Sequence, residues 1–295
     1  MSKKRTIIIY GNCQAEAIAV IFGLNQAIAE NYVVHYVPSY ENVRFEGMTI
    51  SRDDVAVCDL LCEQHDPVLF PQRDALPQSC VTVRFPSVDF NALWPFNATN
   101  PYNPVEPSFP FGRFPYSDRI VLSQIETGKS AAEILDYYLT QWDKYKIDLD
   151  RLLKIEKARI FARDAKCDVA IGEHLFNVYA IERPLWTINH PSQSMLKELV
   201  RRIIAVASVQ IPGMMDVDIG ETVDKNFVLS SRGPLGVVSV PIHPMVAEYF
   251  TLSWYDPNER FYLFDGTDYS YEAYFQELIE RTILARGKSP SDVHV

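Results

Sequence analysis

Thr6-Ile7-Ile8-Ile9-Tyr10-Gly11-Asn12-Cys13-Gln14 is the stretch on which the fold turns. Its first five residues are mostly β-branched and contain no turn signal, the pattern of a strand buried on both faces of a parallel sheet. Gly11-Asn12 ends the run. Gln14 to about Glu30 then reads as a largely buried helix, with Ala15, Ile18, Ala19 and Phe22 at helical spacing. A strand that stops at Gly-Asn-Cys and enters a helix directly sets Cys13 at a helix N-terminus. Backbone N–H groups and the helix dipole there favour a thiolate and can hold an oxyanion. Cys13 is therefore the candidate nucleophile, Gly11 permits the sharp turn, and the amides of Cys13 and Gln14 are candidate oxyanion donors, helped by Asn12.

Working outward, Val33 to Val37 predicts a second strand, Asp59 to Cys62 a third, and Val81 to Phe85 a fourth, closed by Pro86. Strands alternating with helical or irregular connections predict an α/β protein with a parallel, doubly wound sheet over residues 1–90. In such sheets ligands collect beyond the carboxyl ends of the strands, where Gly11 to Gln14, Glu63 to Asp66 and Pro86-Ser87 would converge. From Pro86 to Tyr116, seven prolines interleave with aromatic residues, which excludes a regular helix. This stretch reads as a packed irregular connection or as a lid or substrate wall. Residues 117–295 form a helix-rich half, with helices predicted at 117–126, 130–142, 150–165, 192–207 and 269–286 and another opened by His243-Pro244. Asp216 to Arg232, polar and Gly-bearing, reads as a surface excursion. No internal repeat is present, and residues 1–295 are expected to form a single compact domain.

A net charge of −10 argues against a nucleic-acid partner. No apolar run approaches the ~20 residues of a membrane span. The basic start, Met1 to Arg5, is followed by too short an apolar stretch for a signal peptide. Five cysteines, an odd and sparse set, fit a reducing cytoplasm. Cys58, Cys62, Cys80 and Cys167 are assigned to the core, and Cys58, Cys62 and His65 lack the spacing of a zinc site. A thiol nucleophile needs a base. His35 lies in a predicted strand and His294 at the terminus. His190 stands in Asn189-His190-Pro191-Ser192, on a turn before a helix, with Pro191 expected at the first helical position. His243-Pro244 shares that grammar. His190 is the preferred base because Asn189 can fix a ring tautomer, whereas His243, among apolar residues, suits a packed turn or the wall of a ligand cleft.

Tyr10-Gly11-Asn12-Cys13-Gln14-Ala15, Gln64, Asn189-His190-Pro191-Ser192 and His243-Pro244 together resemble the WcbI family of bacterial polysaccharide-biosynthesis acetyltransferases, in order and spacing through most of the chain. The stretch from Pro86 to Tyr116 departs from it. More distantly the chain is similar to the SGNH/GDSL hydrolases, with cysteine in place of serine and Thr187 where the orienting acid would stand. The resemblance implies an SGNH-like sheet, coenzyme A binding, and transfer of an acetyl group from acetyl-CoA to a sugar hydroxyl of a capsular or exopolysaccharide precursor. Cys13 would be the nucleophile and His190 the base, with no metal. Gln64 and Asn12 would assist the oxyanion, Asn189 would orient the ring, and Gly11 and His243 would lie on the cofactor side. The phosphates are placed, from charge, near Arg84, Arg201, Arg202 or Arg232. The same Cys–His pair would equally serve a thioesterase or esterase. A non-catalytic coenzyme A- or glycan-binding protein is the third reading.

Overall fold

The computed structural model describes residues 4–40, 49–65, 68–145, 147–214, 217–226 and 233–287. Strand β1 (Arg5–Gly11) runs straight into helix α1 (Cys13–Leu24), followed by α2 (Gln26–Asn31), β2 (Tyr32–Pro38), α3 (Arg52–Val55), β3 (Cys58–Gln64) and β4 (Val81–Phe85). The four strands form one parallel sheet in the order β2-β1-β3-β4. Alternation along β1 sorts its side chains between two layers. Ile7 and Ile9 meet Ala15, Ile18 and Phe22 of α1, while Ile8 and Tyr10 meet Ile50, Val55, Leu61 and Phe70 on the opposite face. Burying each such side chain contributes about 1.5–3 kcal/mol. The chain moves one way from β1 to β2 and the other way to β3 and β4. The crevice between the carboxyl ends of β1 and β3 is therefore the switch point at which ligands of such sheets bind.

The second half is mainly helical. A short antiparallel pair, β5 (Asn97–Thr99) and β6 (Tyr116–Asp118), precedes α4 (Arg119–Ile125), α5 (Ala131–Thr140), α6 (Leu149–Asp164) and α7 (Gly172–Val178). A second pair, β7 (Leu185–Thr187) and β8 (His190–Pro191), leads into α8 (Gln193–Ser208). Then come α9 (Ile219–Asn226), α10 (Pro244–Tyr249), the pair β9 (Phe261–Tyr262) and β10 (Asp268–Tyr269), and α11 (Tyr271–Arg286). The apolar stripe of α8, Met195, Leu199, Val200, Ile203 and Ala207, is buried against α1 and β4, closing the sheet on the α1 side.

Three local expectations change. The helix expected from Gln14 to Glu30 breaks at Asn25, whose backbone is extended and whose Oδ1 accepts the Ile28 amide at 3.1 Å, capping α2. The Asn25 Nδ2 also donates to Thr222 Oγ1 at 2.8 Å. That second bond reaches into the segment expected as a surface excursion, part of which is α9, with Ile219 and Val223 buried against α1 and α8. Pro191 does not occupy the first helical position. Ser192 is the N-cap of α8, so Pro191 stays in β8.

The Pro- and aromatic-rich stretch is tied down at both ends. Phe90 donates its amide to the Ile188 carbonyl at 2.9 Å, and Asp89 accepts from Arg159 and Arg163 of α6 at 2.7 and 2.8 Å. Further on, Asn103 donates to the Phe111 carbonyl at 3.0 Å and accepts the Phe114 amide at 2.8 Å.

Two glycines of the β1–α1 unit make contrasting tests. A Cβ on Gly11 would lie 2.6 Å from Gln64 Oε1, 2.7 Å from Gln64 Cβ and 2.9 Å from Ala15 Cβ, whereas one on Gly23 would meet nothing within 4 Å. Gly11→Ala is expected to cost about 1–3 kcal/mol by overpacking. Gly23→Ala, on the exposed side of α1, is expected to add about 0.5–1 kcal/mol through helix propensity. Urea unfolding of the two variants checks the opposite signs.

Candidate functional site

A frame of carboxamides holds the turn that carries Cys13. Asn12 Oδ1 accepts the Gln14 amide at 2.9 Å and so caps α1. The Asn12 amide itself donates to Gln64 Oε1 at 2.9 Å, joining the end of β1 to the end of β3. The Gln14 side chain, fully buried, accepts the Val88 amide at 2.8 Å and donates to the carbonyls of Val88 and Asn189, both at 2.8 Å. Gln64 Nε2 reaches Gln14 Oε1 at 3.4 Å. Gln14 and Gln64 therefore serve as ties beneath the site. The Gln14 amide and Gln64 Oε1 are already engaged and are not turned to an oxyanion in this arrangement.

Above this frame opens a cavity of about 370 Å³, lined by Asn12 and Cys13 from the β1–α1 turn, Glu16, Ala17 and Val20 from the same helix, and Asn189 and His190. The far wall comes from Phe111, Pro115 and Tyr116 and from Pro234, Leu235, Val237 and Phe264, which makes the cavity predominantly apolar. Cys13, half-buried, packs against the main core. Glu16 and Val20 follow Cys13 by three and seven residues and share its face of α1, a placement readable from spacing once the helix is known.

His190 sits at the inner edge of this cavity. Tyr116 Oη lies 3.4 Å from its Nε2, with the two rings edge-to-face. The same hydroxyl donates to Asn189 Oδ1 at 2.8 Å, and Thr187 Oγ1 donates to that oxygen at 3.2 Å. Tyr116 Oη thus bridges Asn189 and His190. Burial drives the His190 pKa down to about 4, with the Leu235 backbone opposing it weakly, so the ring is neutral near pH 7. Its Nδ1 is buried without a hydrogen bond of normal geometry. Burial likewise raises the Tyr116 phenol above its ordinary range, so the hydroxyl keeps its proton. Nothing in the sequence had singled out Tyr116 from the other aromatic residues of its stretch.

The remaining expected residues lie apart from the cavity. His243 caps α10, its Nδ1 accepting the Met245 amide at 3.2 Å, and its ring stacks on Trp142 with centroids 3.9 Å apart. It borders a smaller cavity with Asp118, Tyr138 and Tyr116. Arg84, at the end of β4, lies 3.5 Å from the buried Glu63 carboxylate. Arg201 and Arg202, on α8, both pair with Glu198, and Arg202 also donates to the Ala170 carbonyl. Arg232 lies outside the described residues. Among the described residues no group of three or more His, Cys, Asp or Glu side chains could hold a metal ion, and no helix is long and apolar enough to cross a membrane.

These buried groups give the protein a defined acid response. Burial holds His243 down to about 3 and pushes the Asp118 carboxyl up to about 7, against the amides of Ile120 and Val121 that favour its charged form. Below about pH 6.5 the unfolded chain takes up protons that the buried imidazoles of His190 and His243 refuse, so their stabilising contribution is lost as pH falls. Asp118 opposes this, because its folded carboxyl takes a proton near pH 7 and its unfolded carboxyl only near 3.8. The net loss between pH 7 and pH 5 is expected to be on the order of 1 kcal/mol, rising to roughly 4 kcal/mol in Asp118→Asn, which keeps a capping side chain for α4. Urea midpoints at the two pH values measure it, and an unchanged slope in Asp118→Asn contradicts the assignment.

No curated protein sequence matches the chain. In fold it is similar to a solved structure of WcbI, described as a polysaccharide biosynthesis enzyme, in its native form without a disulfide bond between coenzyme A and a cysteine. The two share 16% identity at a TM-score of 0.70, over 99% of this chain and 92% of the other. Residues 6–211, from β1 through α8, match the family described as polysaccharide biosynthesis enzyme WcbI. By that match, which spans the Cys13 turn and the Asn189-His190 turn, the chain belongs to the WcbI family of polysaccharide biosynthesis enzymes.

Proposed function

We propose that the protein is an acetyl-CoA-dependent O-acetyltransferase that modifies a sugar hydroxyl of a polysaccharide precursor. The observation that carries this reading is the meeting of Cys13, at the N-terminus of α1, with His190 in one apolar cavity at the sheet's switch point. Support for the donor comes from the volume and lining of the cavity. A pantetheine arm suits an apolar space of this volume, and Val20, Pro234, Leu235, Val237 and Phe264 provide it. Glu16 is the one charged residue among the described lining residues, so the donor's phosphates would lie beyond the rim. The disulfide with coenzyme A named for the WcbI structure, although that form lacks it, fits a thiol placed at such a cavity.

The chemistry proceeds in two balanced steps. Cys13 Sγ attacks the thioester carbonyl, its proton passes to His190, and the coenzyme A sulfur leaves with that proton. A sugar hydroxyl then attacks the acetyl group on Cys13, gives its proton to His190, and releases the thiol as the proton returns. Burial that holds His190 neutral disfavours a resting thiolate–imidazolium pair, so proton removal accompanies attack instead of preceding it. Asn189 supports the oxyanion best. Its carboxamide oxygen is held by Tyr116 and Thr187, which leaves the NH2 end as a donor for the developing charge.

Rapid-quench mass spectrometry after mixing with acetyl-CoA is expected to show one acetyl group on the Cys13 peptide and none in Cys13→Ala. An acetyl transfer that proceeds in Cys13→Ala would eliminate the covalent route. His190→Ala is expected to lower kcat by about 10²–10⁴-fold. Tyr116→Phe, which keeps the ring and loses the hydroxyl, is expected to lower it about tenfold with KM little changed. Acetate released at the same rate with and without acceptor sugar would identify a hydrolase, and stoichiometric coenzyme A binding with no turnover would identify a binding protein.

A further inference from the structure

At the end of the sheet opposite Cys13, Cys58 opens β3 and Cys80 immediately precedes β4. Their sulfur atoms are 3.7 Å apart, and neither is in a disulfide. The contact depends on an irregularity in β3. Thr6 of β1 pairs with Cys58 but Ile7 pairs with Leu60, so Asp59 is an extra residue in the strand. That bulge turns Cys58 to the face of Leu61 and Phe70, against which Cys80 packs, while Leu60 and Cys62 face the α1 side. Cys62 is thereby kept from competing for either sulfur. Cys58 is fully buried and Cys80 half-buried, so solvent reaches the pair through Cys80.

We propose that Cys58 and Cys80 are an oxidative modification site, a dithiol that a hydroperoxide converts to an intramolecular disulfide. Cys80 Sγ attacks the peroxide, the O–O bond breaks, and the sulfur becomes a sulfenic acid as the distal oxygen leaves as water. Cys58 Sγ then attacks the Cys80 sulfur, the S–O bond breaks, and a second water departs. Two thiols and one hydrogen peroxide thus give one disulfide and two waters, with two electrons passing to the peroxide. Reaching bonding distance takes roughly 1.7 Å of approach by the two sulfurs. The division of roles follows from their surroundings. Proton sharing with Cys58 lowers the Cys80 pKa and Arg5 adds to the effect, while burial and Asp59 oppose it. The same contact, with burial, raises Cys58. The more exposed sulfur is therefore the readier thiolate and the buried one the resolving thiol. The product closes a loop from 58 to 80 that contains Phe70 and Arg73, both bound to Glu63 at the end of β3.

The test treats the native full chain, and a Cys13→Ser form that removes adducts at the cavity, with hydrogen peroxide. Free thiols are then blocked and the chain is mapped by non-reducing peptide mass spectrometry. The expected product is a Cys58–Cys80 linked peptide, two hydrogens lighter than its parts, formed in both proteins and removed by dithiothreitol. Cys80→Ser is expected to abolish the link and leave Cys58 reduced. Cys58→Ala is expected to leave Cys80 as a sulfenic acid that a dimedone-type probe traps. The wild-type measurement stands even where a variant folds poorly. Accumulation of Cys80 sulfinic acid with Cys58 still alkylatable after unfolding would overturn the proposal, as would a linked peptide joining Cys62 or Cys167 instead.

Discussion

The hydrogen bond from the Asn12 amide to Gln64 Oε1 is the constraint on which the site depends. It crosses from the end of β1 to the end of β3, where the chain reverses its direction of travel through the sheet, and leaves no room for a side chain on Gly11. Once Gln64 is in place, its amide meets Gln14, and Gln14 in turn takes the backbone of Val88 and the carbonyl of Asn189. Four segments far apart in sequence thus converge through two buried carboxamides. In a low-dielectric interior each would be costly unpaired, so the pairing of both fixes the geometry of the turn.

The α/β class, the four strands and the longer helices were legible because burial imposes periodicity. The three isoleucines of β1 and the stripe of α8 announce themselves. The placement of Cys13 at the start of α1 was legible for a local reason, since strand, glycine and helix follow one another within a few residues. The assignment of Gln14 and Gln64 as ties needed the three-dimensional fold, because their partners Val88 and Asn189 lie far along the chain. Tyr116 was hidden because its role rests on Asn189 and His190, more than seventy residues away, and one aromatic residue among many carries no sign of that contact. The break at Asn25 was hidden for a similar reason, because the bond that accompanies it goes to Thr222 in α9.

Around His190, His243 and Tyr116 the neutral forms are favoured. His190 and His243 are kept unprotonated, and Tyr116 keeps its proton, each by burial first. Charge separation in such surroundings is costly. Ion pairs are placed elsewhere, as in Asp89 with Arg159 and Arg163, where they clamp the irregular stretch onto α6.

The wall formed by Phe111, Pro115 and Tyr116 belongs to no long helix or strand ladder. It is a strap held by Asn103 and by Arg113, whose guanidinium lies 3.9 Å from the Phe109 ring centre and 2.9 Å from Glu106. Cys13, by contrast, stands where the sheet strand β1 enters α1. The two sides of the cavity therefore belong to separate pieces of chain. Exchange of the residues at 111 and 115 can reshape the cavity without disturbing the strands, and the far wall can drift while the Cys13 sulfur stays where it is.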